Sequence, residues 1–249
     1  MRDPLKKRTS DIATYAIQRW VVPRTRTSLE QWFYEALVLQ VHSPQASTWS
    51  SHPRYFEFGV GQGGTLMAYV QALIRFCKKY QFDLSRFEIY GFDSFRGLPD
   101  KASHKDDHRD WEKGALNYPT DIVLSRIATT KLPPEQVTLV EGFFSDSLTE
   151  ELREKLSHQP PAIITVDCDY YSSTMTVLEW LSAFLPSGTL FYFDDIWSFH
   201  GNPEHGELAA IHDFNANGNG FLTPWPLLGL ASNIYMFSRS PYEQVNETA

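Results

Sequence analysis

The chain has 249 residues, with 42% hydrophobic and 21% charged positions and a formal net charge of −8. This length fits one α/β domain with a buried core, and an acidic chain without long Lys/Arg runs argues against nucleic acid as the main partner. Residues 214–238 carry no charge, but prolines and glycines interrupt them, so we expect no membrane span.

Two features predict where the protein is found. The N-terminal residues include basic side chains but no apolar run of signal-peptide length. The two cysteines, Cys77 and Cys168, provide neither a disulfide framework nor the spacing of a metal site. A reducing compartment is the natural setting for such a chain, and we expect it to be cytoplasmic.

The first 50 residues show helical signals and no strand signals. We predict one helix that ends at Pro23 and a second helix from Ser28 to about Val41. This N-terminal element, residues 1–50, is expected to act as a packing layer, as a lid over the sheet or as the contact of a homodimer. A stretch rich in Ser, Pro and Thr then leads into the main domain, residues 51–249.

The main domain begins with a strand, a glycine-rich turn and a helix within residues 54–74, and its first twelve residues read RYFEFGVGQGGT. Glycine allows a sharp turn and close contact between the backbone and a ligand, and a helix N-terminus offers unpaired N–H groups. This order of elements is typical of a nucleotide-type ligand site, although an ordinary turn between a strand and a helix has the same composition.

The spacing of Gly59, Gly61 and Gly64 fits the dinucleotide fingerprint, so an NAD(P)-dependent oxidoreductase is one hypothesis. Glu57 favours another ligand, because a carboxylate inside a strand end is costly unless it meets a cation such as an ammonium group. The next strand-end acid, Asp93, follows Gly64 by 29 residues, whereas the dinucleotide pattern expects about 20. An ammonium and a ribose without a pyrophosphate describe S-adenosylmethionine, which is the better match.

From residue 54 onward, predicted strands and helices alternate. This pattern favours a parallel sheet with helices on both faces, and two final strand-like runs suit an antiparallel edge. The predicted strands are residues 54–58, 87–92, 137–140, 162–166 and 189–193, with edge runs at 221–222 and 234–237. The predicted helices are residues 65–80, 120–130, 148–156, 173–184 and 207–215. The charged stretch 100–114 is expected to be a solvated loop or a border of the acceptor site.

Six acidic residues lie at the predicted carboxyl ends of these strands, where open α/β sheets bind ligands. They are Glu57, Asp93, Asp167, Asp169, Asp194 and Asp195. Such a set would repel itself without cations. A sulfonium and an ammonium would supply positive charge near the first strand, and for the other carboxylates we expect a divalent metal, Mg²⁺ by ligand type.

Several motifs together resemble the macrocin O-methyltransferase family over about residues 54–237. They are EFGVG from Glu57, GFDSFRGLP from Gly91, GFFSDSL from Gly142, VDCDYYSST from Val166 and FDD from Phe193. The resemblance implies a Rossmann-like class I methyltransferase: a mostly parallel seven-stranded sheet with helices on both faces and an antiparallel edge strand. It also implies S-adenosylmethionine-dependent O-methylation of sugar hydroxyls in natural products.

The resemblance implies a role for individual positions in binding the donor. The methionine part would lie on Glu57 and the glycine turn, the ribose at Asp93 and Ser94, and the adenine beside the turn after the third strand. The implied cofactor-binding residues are Glu57, Gly59, Gly61, Gly63, Asp93, Ser94, Gly142 and Phe143.

The same resemblance implies Asp167, Asp194 and Asp195 as Mg²⁺ ligands and Asp169 as the general base. His200 is a second candidate base, because an imidazole pKa near 6.5 suits proton transfer and the residue closely follows the acidic pair. The acceptor is expected to be a small-molecule hydroxyl, and its identity stays open. Candidates for an apolar acceptor wall are Trp111, Tyr171, Trp197 and Trp225. A methyltransferase-fold protein that binds without turnover is the non-enzymatic alternative.

Overall fold

The computed structural model describes residues 22–42, 52–224 and 234–239. The strands are β1 (Arg54–Phe58), β2 (Ile89–Asp93), β3 (Val137–Glu141), β4 (Pro161–Val166), β5 (Leu190–Phe193), β6 (Phe221–Pro224) and β7 (Ile234–Ser238). The helices are α1 (Val22–His42), α2 (Gly64–Tyr80), α3 (Thr120–Ile127), α4 (Phe144–Ser147), α5 (Glu150–Ser157), α6 (Tyr171–Ser182) and α7 (Gly206–Asn217).

The seven strands form one mixed sheet in the order β3-β2-β1-β4-β5-β7-β6. The first five strands in this order pair in parallel, β7 runs antiparallel to β5, and β6 runs antiparallel to β7. The predicted mostly parallel sheet with an antiparallel edge is confirmed. From β1 the chain adds β2 and β3 on one side of the sheet, and then returns to add β4 and β5 on the other side of β1. Ligands of open α/β sheets bind at the point where the strand order switches in this way.

Alternating side chains along the strands fill two hydrophobic cores, one on each face of the sheet. Tyr55 and Ile163 point into the core beneath α1, α2 and α3, whereas Phe56 and Ile164 point into the core beneath α5, α6 and α7. All six residues of β4 are buried, and five of them are apolar, as expected of a strand that is covered on both faces. These two cores hold the strand ends rigidly.

Helix α1 differs from the prediction at its start. It begins at Val22, so Pro23 lies in its first turn rather than ending a helix, and proline is tolerated there because the first N–H groups have no helical partner. The helix predicted before Pro23 falls outside the described residues. Phe33 and Leu37 are fully buried, and the Gln40 amide donates to the carbonyls of Ala162 and Gly188. This described part of the N-terminal element is a packing layer; its roles as a lid or dimer contact stay predictions.

The register of the sheet brings the strand ends to one level. Phe58 of β1 pairs with Phe92 of β2 and with Val166 of β4, which in turn pairs with Phe193 of β5. The residues that follow these four, with Asp93 as the last residue of β2, therefore lie side by side at one end of the sheet. In the described parts of the chain, no helix has both the length and the apolar character needed to cross a membrane.

Candidate active site

A cavity of about 570 Å³ opens at the carboxyl ends of the central strands. The predicted site residues that line it are Gly59, Gly61, Asp93, Ser94, Gly142, Phe143, Asp167 and Asp169. The predicted site residues that do not line it are Glu57, Gly63, Asp194, Asp195 and His200. Eight of the predicted residues therefore share one cavity, and the functional roles given to all of them stay predictions.

Gly59 allows the turn after β1 to pass directly against the end of β4. Its φ is +85°, and a Cβ atom added there would lie 1.7 Å from the backbone oxygen of Asp167. No side chain fits at that distance, so this glycine is required by space as well as by backbone conformation. Gly63, with a φ of +75°, precedes the first residue of α2.

Asp93 connects the end of β2 to the glycine turn. Its Oδ2 accepts hydrogen bonds from the backbone N–H groups of Val60 and Gly61, both at 2.8 Å, and its Oδ1 accepts from the N–H of Phe95 at 2.7 Å. A carboxylate has about four lone-pair sites, so these three bonds leave about one site for a ribose hydroxyl. The neighbouring Ser94 hydroxyl donates to the carbonyl of Gly97 and helps to shape the following loop.

Glu57 lies beneath the glycine turn and is fully buried. Its Oε2 accepts a 2.5 Å hydrogen bond from the Tyr55 hydroxyl, which also lies 2.7 Å from Oγ1 of Thr165, and its Oε1 is buried without a partner in the described residues. Burial, only partly offset by the Tyr55 hydrogen bond, raises the pKa of Glu57 to about 8. Contact between Glu57 and the ammonium group of a donor stays a prediction.

The raised pKa of Glu57 predicts a pH-dependent stability for the ligand-free protein. The folded state holds the Glu57 proton more tightly than the unfolded state, so this stabilisation is complete below pH 4.5 and is lost as the pH rises through about 8. The side chain introduced by Glu57→Gln cannot ionise. The melting temperature of this variant minus that of the wild type should therefore increase by roughly 5–10 °C between pH 5 and pH 8.5. Differential scanning fluorimetry across this range measures the difference. Glu151→Gln, at an exposed position of α5, is the matched control, and a constant difference for Glu57→Gln would contradict the prediction.

The carboxyl groups after β4 and β5 form an acidic cluster in which Asp169 is buried and Asp194 is exposed. Burial, followed by the charge of Asp194, raises the pKa of Asp167 well above its usual range. Burial and the neighbouring Asp195 raise the pKa of Asp169 to about 8, and the carboxyl groups of Asp169 and Asp195 lie within hydrogen-bonding distance. Asp169 also has a φ of +61°, a conformation that costs energy for any residue with a side chain. Strain and charge repulsion at one place are typical of a functional site.

The predicted metal ligands are close in space but face different partners. The Tyr192 hydroxyl donates to Oδ1 of Asp194 at 2.6 Å, and the Ser198 hydroxyl donates to Oδ1 of Asp195 at 2.8 Å. Burial, then Asp194, raises the pKa of Asp195 to about 6. Across residues 22–42, 52–224 and 234–239, no three His, Cys, Asp or Glu side chains are arranged to hold a metal ion. The Mg²⁺ site stays a prediction.

Glu207 is a site residue that sequence reasoning missed. This fully buried carboxylate in the first turn of α7 accepts hydrogen bonds from the N–H of Cys168 at 3.2 Å and from the N–H of Asp195 at 2.9 Å. It therefore joins the loop after β4 to the loop after β5 and fixes the backbone that carries the acidic cluster. Burial, then Asp195, raises its pKa well above the usual range. An acid in the first turn of a helix is common, so the sequence gave no distinguishing signal.

Residues 97–118 form a long, well-anchored loop beside the cavity. The buried carboxylate of Asp106 accepts from the N–H and the hydroxyl of Ser172, both at 2.9 Å, and thereby attaches the loop to the first turn of α6. The loop contributes Leu98, Leu116 and Tyr118 to the lining. The loop therefore borders the cavity, and its role at the acceptor site stays a prediction.

The aromatic residues predicted to form an acceptor wall do not line the cavity, as far as the structure describes them. Trp111, Tyr171 and Trp197 are absent from the lining, and Trp225 falls outside the described residues. Trp111 packs instead against the ring of the buried Tyr170. His200 is exposed and also lies away from the lining, so its role as a base stays an untested prediction.

The sheet order, the glycine turn after β1 and the acid that ends β2 define a class I methyltransferase fold. The crystal structure of the calicheamicin methyltransferase CalS11 is similar, with a TM-score of 0.60 and 20% identity over 97% of this chain and 95% of that one. The O-methyltransferase NovP has a TM-score of 0.60 and 17% identity over 84% of this chain and 78% of that one. At these identities the likeness establishes the fold.

The sequence profile of the macrocin-O-methyltransferase (TylF) family matches residues 53–219. The chain belongs to this family and is an S-adenosylmethionine-dependent O-methyltransferase. The resemblance stated from the motifs is confirmed, and the NAD(P)-dependent oxidoreductase and the non-catalytic binding protein are set aside. No curated protein sequence is significantly similar to this chain.

Proposed function

We propose that this enzyme transfers the methyl group of S-adenosylmethionine to a hydroxyl of a small molecule, a sugar or a sugar-bearing natural product. The observation that carries the proposal is a single cavity lined by the glycine turn, by Asp93 and by Asp169. A donor-type turn and a candidate base thus open into one space. A second CalS11 structure is described as a TDP-rhamnose 3'-O-methyltransferase of calicheamicin biosynthesis, and this favours a sugar acceptor here.

The donor is proposed to lie along the strand ends from β3 to β4. Phe143 would border the adenine and Asp93 would accept from the ribose hydroxyls, because both line the cavity at adjacent strand ends. The methionine part would then reach the turn at Gly59, against the end of β4. In that position the sulfonium would lie near the acidic cluster, whose charge favours a cation.

Methyl transfer from a sulfonium is an in-line displacement, so the acceptor oxygen must be held close to the methyl carbon and aligned with the breaking bond. A neutral hydroxyl is a poor nucleophile, and a base that takes its proton as the new bond forms lowers the barrier. Asp169 is proposed as this base. Its pKa of about 8, raised by burial and by Asp195, suits proton transfer near neutral pH, and it lines the cavity.

We also propose that Asp167, Asp194 and Asp195 hold a divalent cation. Their carboxylates provide the hard oxygen ligands that Mg²⁺ prefers. Burial, followed by repulsion from Asp194, raises the pKa of both Asp167 and Asp195, and a cation would relieve the repulsion. Within the described residues these side chains are not arranged around one point, so they would have to change rotamer to coordinate the ion. When bound, such an ion lowers the pKa of a coordinated hydroxyl.

The donor assignment is tested by calorimetric titration with S-adenosylhomocysteine, with NADH as the parallel ligand. Binding of S-adenosylhomocysteine alone is expected. An acceptor screen with a labelled methyl donor then follows, using sugar nucleotides, glycosylated macrolides and simple phenols as three separate pools. Label transfer to a sugar pool supports the proposal, and transfer only to phenols would overturn the sugar acceptor.

Removal of divalent metal should abolish most methyl transfer without removing the donor. EDTA treatment is expected to lower the rate on the identified acceptor by at least about tenfold, with recovery on addition of Mg²⁺. Binding of Mn²⁺, followed by electron paramagnetic resonance, should be lost in Asp167→Asn. Asp146→Asn, an exposed acid of α4, is the matched control. Equal Mn²⁺ binding by wild type and Asp167→Asn would exclude Asp167 as a ligand.

A further inference from the structure

The charges around the cavity do not yet account for the whole donor. S-adenosylmethionine carries two positive groups, the sulfonium and the ammonium, and one negative group, the carboxylate of its methionine part. The acidic residues among the described lining are Asp93, Asp100, Asp167 and Asp169. Arg126 is the one basic residue among them. The acids suit the two cations, which leaves the donor carboxylate without an assigned partner.

Arg126 is placed beside the glycine turn. It lies in the last turn of α3, and its Nη2 approaches Oε1 of Gln62, within that turn, at 3.4 Å. Packing fixes this relation, because the Val123 side chain of α3 lies 3.4 Å from where a Cβ of Gly63 would be. Gln62 and Thr65, at the start of α2, also line the cavity. A guanidinium, an amide and a hydroxyl therefore surround one end of the turn.

The guanidinium of Arg126 retains bonding capacity. Within the described part of the chain it forms no ion pair, and its bond to Gln62 is long. Arginine has five N–H donors in a planar fork that matches the two oxygens of a carboxylate. The other charged residues that line the cavity are acids, so this guanidinium is the group positioned to bind the anionic part of a ligand.

We propose that Arg126, oriented by Gln62 and assisted by the Thr65 hydroxyl, binds the carboxylate of the methionine part of the donor. This assignment rests on the proposed donor position along the strand ends. It places the methionine carboxylate at the α2–α3 side of the turn and the sulfonium toward Asp167 and Asp169. Arg126 thus determines which end of the donor faces the acidic cluster.

Three ligands separate the carboxylate from the rest of the donor. S-adenosylhomocysteine contains it, its decarboxylated analogue 5'-deoxy-5'-(3-aminopropylthio)adenosine keeps only the amine, and 5'-methylthioadenosine lacks both groups. Calorimetry on the full chain should show that wild type prefers S-adenosylhomocysteine to the decarboxylated analogue. Arg126→Gln should lower the affinity for S-adenosylhomocysteine by about tenfold and change the affinity for each of the other two ligands by less than about twofold.

Two further variants make the result specific. Arg109→Gln removes an arginine whose side chain is 88% exposed, and it should bind all three ligands as wild type does. Arg126→Lys keeps the charge without the fork and should show an intermediate loss. Unchanged binding of S-adenosylhomocysteine by Arg126→Gln, or an equal loss for all three ligands, would overturn the proposal. If wild type binds none of the three, the donor assignment itself fails, which is a different outcome.

Discussion

Replacing Asp169 with Asn should lower the rate of methyl transfer by about 10²–10⁴-fold and leave the affinity for S-adenosylhomocysteine within about twofold of wild type. The carboxylate can accept the proton of an attacking hydroxyl, whereas the amide cannot. Asn is the informative replacement because it tolerates the left-handed conformation that Asp169 adopts at a φ of +61°. The backbone after β4 is therefore retained, and the change tests chemistry rather than folding.

The measurement is single-turnover transfer of labelled methyl to the acceptor found by screening, with calorimetry of the donor product in parallel. Asp110→Asn, at an exposed loop position, is the matched control and should keep full activity. His200→Gln distinguishes the second candidate base, and because His200 is exposed and away from the cavity lining we expect less than about a threefold change. Activity that survives Asp169→Asn but not His200→Gln would reverse the assignment.

The parts of the fold that follow from local pattern could be predicted from the sequence. Strand β1 lies where it was predicted, because apolar β-forming residues followed directly by glycines give an unambiguous strand end. The one-turn helix α4 at Phe144–Ser147 was not predicted, because four residues carry too little periodicity to be recognised. Pro23 was assigned as a helix end although it lies in a first turn, since proline alone does not distinguish the two positions.

The site was predictable only as far as it depends on strand ends. Asp93, Asp167 and Asp169 line the cavity because the register of parallel strands brings their ends together. The contacts that hold these residues join distant parts of the chain: Glu207 reaches Cys168 across 39 positions, and Asp106 reaches Ser172 across 66 positions. No local spacing encodes such pairs. Their detection requires the packing of α6 and α7 on the sheet.

Replacing Gly59 with Ala should have the largest effect of any single substitution in the donor site. An added Cβ would lie 1.7 Å from the backbone oxygen of Asp167, so either the turn or the end of β4 must move. The strand ends on both sides are buried in two cores and resist that movement. We expect a loss of about 3–5 kcal/mol of folding free energy and at least about a 100-fold weaker affinity for S-adenosylhomocysteine.

Gly218→Ala separates this steric effect from backbone strain. Gly218 has a φ of +73°, close to the +85° of Gly59, but a Cβ there would meet nothing within 4 Å. It should therefore lose only about 1–2 kcal/mol, the cost of the left-handed conformation, and bind the donor product normally. Urea denaturation and calorimetry measure both quantities. If the two variants behave alike, the close contact between the turn and Asp167 is not what shapes the donor site, whereas a large loss confined to Gly59→Ala shows that the contact itself is required.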